Sequence, residues 1–600
     1  MKHITSTWEL ETLFSGGSSS PAFRAHLDKL AVNINKLQTA VQEVQGKINT
    51  EAWVQLISAF QDVSRQLRQA SAFISCLTAQ DVKDVEAQRL NAEVQKFRAE
   101  LSSIMDCAAE AMLKVDQAEW ETIMTHPRLK EVEFALNELR SQAQERMPAE
   151  LEGLANALAV DGYHAWGEFY NSKIVGRMTI PIEREGRIAE MSVGQVANLF
   201  ASPDRSLRQQ AFEKYEAAWA EVSELCGAAL NHLAGFRLSL YKARGWDSIL
   251  HEPLMINRMT QDTLEAMWTV VEQRKSRLLD YLKAKSSLLG LEGLDWFDVS
   301  APVGQNQKTY TYAEAAQFVI DQFGKFSTGM AELAERALRE RWVEAEDRPG
   351  KRPGAFCTTF PEAKESRIFM TFSGSADNMF TLAHELGHAY HSSVLKDEAP
   401  FNQRYAMGVA ETASTFAEQV VADAAVRAAQ SREERLALLN NKLEQAVAMF
   451  MNIHARFIFE TRFYERRRKG LVSVEELNQL MEDAQREAYV QGLESYHPHF
   501  WASKLHFYIT GVQFYNFPYT FGYLFSQGIY ARALAEGPRF AEDYKRLLQD
   551  TGRMTVEELA RTHLGEDLTK PDFWERAVEI SLADVDQFLA LAGKPEGEDD

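Results

Sequence analysis

Thr381-Leu382-Ala383-His384-Glu385-Leu386-Gly387-His388-Ala389-Tyr390-His391 carries the pattern His-Glu-x-x-His inside an apolar run. That pattern has chemical meaning on a helix. Four helical residues advance about 400°, which sets His384 and His388 one turn apart on the same face. Both imidazoles then reach one Zn²⁺ at roughly 2.0–2.1 Å. Glu385 points about 100° away from His384, so its carboxylate stands beside the metal's open position and not on the metal. Met379, Phe380, Leu382, Ala383 and Leu386 make the segment a buried helix, where paired histidines need a partner. Gly387 costs such a helix about 1 kcal/mol against alanine, so close packing or ligand access is expected at that point. The plainer alternative is a pair of packed or exposed helix histidines.

A catalytic zinc needs a third protein ligand and an open position. The extended pattern HExxHxxGxxH fails, because His391 stands where its glycine belongs and Val394 where its last histidine belongs. Downstream, Ala410-Glu411-Thr412-Ala413-Ser414-Thr415-Phe416-Ala417-Glu418 places Glu411 among small residues that let another helix approach. A carboxylate buried there wants a cation. Glu418, seven residues on, lies about 20° away around the axis, on the same side. Glu411 is assigned as the third ligand and Glu418 as the group that hydrogen-bonds a ligand histidine. From spacing alone, a solvated helix glutamate at 411 is equally open.

Working outward, Phe23, Leu27, Leu30, Ile34 and Leu37 recur at spacings of three and four, and successive amphipathic helices are expected to about Arg140. Gly16 to Pro21 reads as a turn or linker. Lys173 to Val193 predicts a β-hairpin turning at Glu185-Gly186, and helices return from Val196 to about Leu289. A strand-like patch runs from Phe356 to Phe372. Its last part, Arg367 to Phe372, is expected at the edge of a cleft where a peptide could add as a strand, with Gly374 turning closely beneath it. Helices resume near Asp377, and Ser473/Glu476 and Thr555/Glu558 read as capping boxes. The expected fold is mainly α with a small sheet beside the HExxH helix. Its expected divisions are an N-terminal segment and linker (1–21), a helical domain ending in the hairpin (22–190), a catalytic domain (191–590) and a polar tail (591–600).

The chain has 600 residues, 45% of them hydrophobic, so it can bury large cores. A net charge of -21 argues against nucleic acid or an anionic membrane as the main partner. Cys76, Cys107, Cys226 and Cys357 lie far apart, which suits neither a disulfide scaffold nor a thiolate zinc site. The first ten residues lack a basic stretch followed by an apolar one, and no run of about 18 apolar residues appears. A cytoplasmic location is expected. His497 and His499 are read as loop histidines, since no clustered carboxylate stands nearby in sequence, and His391 as structural.

His384-Glu385-Leu386-Gly387-His388-Ala389-Tyr390-His391 followed by Ala410-Glu411-Thr412-Ala413-Ser414 resembles the thimet-oligopeptidase family of zinc metallopeptidases, most closely its oligoendopeptidase F branch. The likeness extends to Trp8-Glu9-Leu10-Glu11-Thr12-Leu13-Phe14 and to a tyrosine-rich stretch from His506 to Tyr523. It implies a nearly all-helical, two-lobed body whose deep channel admits short, unstructured peptides. It also implies one zinc ion on His384, His388 and Glu411, with Glu385 as general base. From the late stretch it implies substrate-binding and oxyanion-stabilising roles for His506, Tyr508, Tyr515 and Tyr519, with Tyr523 a weaker match. Read without the family, such an aromatic cluster is more often core. The expected activity is hydrolysis of internal peptide bonds by a metal-activated water. A dipeptidyl carboxypeptidase and a catalytically silent, zinc-containing peptide-binding protein are the alternatives, and Co²⁺ or Mn²⁺ could take the site.

Overall fold

The computed structural model describes residues 4–44, 49–184, 186–304 and 308–593. Glu185 of the expected turn and residues 594–600 of the expected tail lie outside the described residues. The elements used below are α1 (Pro21–Val44), α2 (Thr50–Gln80), α3 (Val85–Leu113), β1 (Thr179–Arg184), β2 (Arg187–Ser192), α4 (Arg205–Arg244), β3 (Val343–Glu344), β4 (Phe356–Phe360), β5 (Glu365–Phe369), α5 (Ala376–Leu395), α6 (Thr412–Ala428) and α7 (Phe517–Glu536). Other helices fill most of the remaining chain, so the fold is mainly α. Packing divides it into two compact units. One comprises Met1–Arg146, Gln307–Ala424 and Arg532–Glu566; the other comprises Met147–Asn306, Ala425–Ala531 and Asp567–Asp600.

In the first unit, the apolar stripe of α1 (Phe23, Leu27, Leu30, Ile34, Leu37, Val41 and Val44) is wholly buried against α2 and α3. Each such side chain contributes about 1.5–3 kcal/mol through burial. Asn49 starts α2 by accepting from the Glu51 and Ala52 N–H groups, and Asp84 starts α3 by accepting from Ala87 N–H. The N-terminal segment is tied down. Trp8 is buried, Glu9 N–H donates to Arg341 O at 2.8 Å, and Ala345 N–H donates to Ser6 O at 2.7 Å.

The strand-like patch forms β4 and β5, and β3, outside the expected patch, joins them in a sheet of order β3-β5-β4, with β5 parallel to β3 and antiparallel to β4. This sheet packs on α5, as expected of a small sheet beside the HExxH helix. The expected edge strand is corrected: β5 is central. Cys357 faces Ile368 across one side of it, and Val343 faces Ile368 across the other. The outer strands are β3 and β4. Gly374 does turn tightly, at φ +96°, but the chain it accommodates is its own: its carbonyl accepts from Tyr310 N–H at 2.9 Å, and a Cβ there would lie 3.2 Å from Tyr310 O.

In the second unit, β1 and β2 form the expected hairpin, with Ile180 and Ile182 buried and β2 largely exposed. β1 packs on the 40-residue α4. Both capping boxes, at Ser473/Glu476 and Thr555/Glu558, are present.

Candidate metal centre

α5 starts at Ser375, whose hydroxyl accepts from Asn378 N–H while the Asn378 side chain accepts from Ser375 N–H. Its helical run carries His384 and His388 to one face, and Gly387 explains why the next helix can reach them. A Cβ at 387 would lie 2.5 Å from Ala413 O, 2.7 Å from Ser414 Cα and 2.9 Å from Ala417 Cβ. The two helices therefore cross at a distance that only glycine permits.

That crossing brings the expected residues together. His384 Nε2 lies 3.2 Å and His388 Nε2 3.4 Å from Glu411 Oε2. The three ligand atoms lie within 4.8 Å of one another, and all three residues are half-buried. On its other side, His384 Nδ1–H donates to Glu418 Oε2 at 2.9 Å. Glu411 differs from expectation in one respect. It stands one residue ahead of α6, not within it, after the short turn Met407–Ala410, and its Oε2 also accepts from Ser414 Oγ at 2.9 Å.

Burial alone would raise the Glu411 pKa, but hydrogen bonds from His384 and His388 outweigh it and hold the carboxyl far below its usual range. Burial likewise disfavours charged His384, yet Glu411 and Glu418 together carry its pKa up to about 10. Two carboxylates, Glu411 and Glu418, around two imidazoles make a donor set that favours a cation. Glu385 is different: it is 5% exposed, and its Oε2 has no hydrogen-bond partner among the described residues. Its pKa is raised by burial, against the opposing pull of His384 and His388. His391 takes no part in the cluster. It is buried, its Nε2 lies 2.9 Å from Thr551 Oγ1, and its ring stacks on Tyr405 at 4.4 Å.

The late aromatic residues all belong to the second unit. His506, Tyr515 and Tyr519 form one cluster of half-buried rings, with centroids 5.4 Å apart for His506–Tyr515 and 5.8 Å for Tyr515–Tyr519. Burial, aided by Arg456 and Lys504, lowers the His506 pKa to about 4, so its ring is neutral at pH 7. Tyr508 is placed elsewhere: it is fully buried and stacks on Tyr170 at 3.6 Å, a packing position with no face for a substrate. Tyr523 is buried too, its hydroxyl 3.0 Å from Ser581 Oγ.

One partner escaped the sequence reading. Glu216, on α4, bridges His497 and His499, pairing with Nδ1 of His497 and at 2.6 Å with Nδ1 of His499. The carboxylate expected to be missing beside these histidines is therefore supplied from 281 residues away. Their remaining ring nitrogens meet Ser503 and Asn478, which makes the group a satisfied polar network.

A mainly helical chain with an HExxH helix and a glutamate beside both histidines is, as a class, a metallopeptidase. The sequence profile of peptidase family M3 matches residues 198–580, and that of Oligopeptidase F matches residues 112–178. The chain belongs to peptidase family M3. It is 24% identical to the group B oligopeptidase PepB of Streptococcus agalactiae, over 88% of this chain and 89% of that protein. It is 21% identical to the oligopeptidase PepF of Bacillus subtilis, over 98% and 87%. Among solved structures, a putative peptidase from Chlamydophila abortus shares the fold with a TM-score of 0.84 at 19% identity, covering 98% of each chain. An oligoendopeptidase F from Enterococcus faecium shares it at 0.70 and 18% identity, covering 95% of this chain and 99% of that one.

Proposed function

We propose that the protein is a zinc-dependent oligoendopeptidase that hydrolyses internal bonds of short, unstructured peptides. The observation that carries this reading is the pairing of a His384–His388–Glu411 cluster with a separate, buried carboxylate oxygen on Glu385 that no group among the described residues occupies. The donor set fits zinc. Ligand atoms held tetrahedrally at 2.0–2.1 Å stand roughly 3.3–3.4 Å apart, and the Nε2–Oε2 separations are 3.2 and 3.4 Å. Bound there, zinc supplies a Lewis acid that polarises the scissile carbonyl and acidifies water.

The chain's own residues do the rest. Glu418 holds the proton on His384 Nδ1, so Nε2 is the nitrogen that a metal ion would take in exchange for its proton. Glu385 accepts a proton from the attacking water and returns it to the leaving amine; a carboxylate desolvated by burial is a stronger base than an exposed one. The reading assigns oxyanion donors to His506, Tyr515 and Tyr519. The neutral ring of His506 keeps one N–H to donate, and such donors supply a few kcal/mol each. The names of the relatives support oligopeptides as the substrate class. The division near residue 190 into a helical and a catalytic segment belongs to the same reading, supported by family matches that end at 178 and begin at 198. So does a cytoplasmic setting, which four free cysteines suit; among the described residues, no helix is long and apolar enough to cross a membrane.

The test is mass-spectrometric mapping of cuts in a pool of short peptides, some with amidated C-termini, with and without a chelator. Chelator-sensitive cuts at internal bonds, blocked peptides included, are expected. Release of C-terminal dipeptides alone would replace this reading with a dipeptidyl carboxypeptidase. No cleavage by protein that holds zinc would replace it with a silent peptide-binding protein.

A further inference from the structure

Within the unit that carries the metal cluster, α2, α3 and β4 wall a cleft of about 540 Å³. Three guanidinium groups line it: Arg68 on α2, Arg98 on α3, and Arg404 on the segment leading to Glu411. The acid in the lining, Asp106, is already paired with Arg146 at 2.6 Å. Arg68 donates to Gln403 Oε1 at 2.8 Å and Arg98 donates to Ser71 Oγ at 3.1 Å. Both acceptors are neutral, and neither arginine has a carboxylate partner among the described residues.

Charge and position argue together. The protein carries a net charge of -21, yet this concave surface gathers three guanidinium groups, and Arg68 and Arg98 meet only neutral acceptors among the described residues. Burial disfavours the charged form of Arg68 and of Arg404, and for Arg404 the nearness of Arg68 adds to it. A bound anion would offset that repulsion. Guanidinium forks match carboxylates in geometry as well as charge, and Ser64 and Ser71, on the same face of α2 as Arg68, add hydroxyl donors. The cleft also adjoins the chemistry. Thr359 on β4 lines it, and the same hydroxyl donates to Ser392 Oγ at 2.8 Å, on α5, the helix that carries His384, Glu385 and His388.

We propose that the cleft lined by Arg68, Arg98 and Arg404 is a subsite for a carboxylate of the peptide substrate, either its C-terminus or an acidic side chain. This inference rests on the peptidase reading above, and it narrows the substrates to peptides that can place a carboxylate in the cleft while a bond lies at the metal cluster.

The test compares kcat/KM for one internally quenched peptide as free acid and as amide, and for amidated versions differing as Glu or Gln at single positions. Wild type should favour the carboxylate member by about tenfold, through KM, with the preference shrinking at high salt. A preference confined to the acid/amide pair identifies the C-terminus; one confined to a Glu/Gln pair identifies a side chain. Arg68→Gln and Arg98→Gln should bring the ratio toward one. Equal kcat/KM within every pair, or variants that keep the wild-type ratio, would overturn the proposal. Arg98 is exposed, so its variant still decides the matter if Arg68→Gln fails to fold. If no peptide is cut, fluorescence anisotropy of labelled acid and amide peptides on the zinc-loaded protein reads the same ratio, which separates loss of this subsite from failure of the peptidase reading.

Discussion

Replacing Gly387 with alanine sets two terms against each other. In an unconstrained helix interior the change stabilises by about 1 kcal/mol. At 387 the added Cβ would come within 2.5 Å of Ala413 O, 2.7 Å of Ser414 Cα and 2.9 Å of Ala417 Cβ. All three belong to α6 or its rigid backbone, so no side-chain rotation relieves them; the helices must part by roughly half an ångström, at a typical overpacking cost of 1–3 kcal/mol. The net expectation is a loss of about 0–2 kcal/mol in stability. The larger effect falls on the metal cluster. Parting the helices moves Glu411 and Glu418 away from His384 and His388, and ligand distances tolerate only about 0.2 Å. Zinc affinity should drop by about 10–100-fold, as when an orienting partner is lost. Titration against a competing chelator measures the affinity, and urea unfolding measures the stability. Gly153→Ala, inside the helix Ala149–Ala159, is the control, since a Cβ there meets nothing within 4 Å; it should gain about 1 kcal/mol and leave zinc binding alone. Wild-type affinity in Gly387→Ala together with a gain like that of Gly153→Ala would refute the close-crossing argument.

Glu385→Gln should retain zinc by elemental analysis and lose kcat by roughly 10²–10⁴-fold; wild-type turnover by the zinc-loaded variant would remove Glu385 from the proton transfer. Glu418→Gln should weaken zinc binding by about 10–100-fold, read by chelator competition. Tyr515→Phe and Tyr519→Phe should each lower kcat in steady-state assays, whereas Tyr508→Phe should leave it near wild type, because Tyr508 is buried against Tyr170. For acid stability, burial opposes charged Glu216, but His497 and His499 depress its pKa from 4.5 to about 2. A depressed carboxylate stabilises above its unfolded pKa and loses that contribution as pH falls through its folded value. The urea-unfolding advantage of wild type over Glu216→Gln should therefore be largest above pH 4.5, at up to about 3 kcal/mol, and narrow toward pH 2.

The sequence by itself determined what is local. Helix positions followed from apolar spacings such as Phe23, Leu27 and Leu30, helix starts from Ser473/Glu476 and Thr555/Glu558, and the hairpin from alternation around Ile180 and Ile182; each depends on residues within a turn or two of one another. The reach of His384 and His388 to one point is also local, because helical geometry fixes it. Glu411 and Glu418 were legible as candidates only, since their approach depends on the crossing at Gly387. Tertiary structure decided the rest. That β5 is central and not an edge follows from pairing with β3, a strand more than twenty residues earlier, which no property of Arg367 to Phe372 encodes. Burial against Tyr170 separated Tyr508 from His506, Tyr515 and Tyr519, although all four lie in one aromatic stretch. Glu216 meets His497 and His499 across 281 residues, and Arg68, Arg98 and Arg404 share a cleft although Arg404 lies more than 300 residues beyond the other two. Such meetings leave no periodic signal, because a charge distant in sequence costs the chain nothing until folding brings it into the same low-dielectric space.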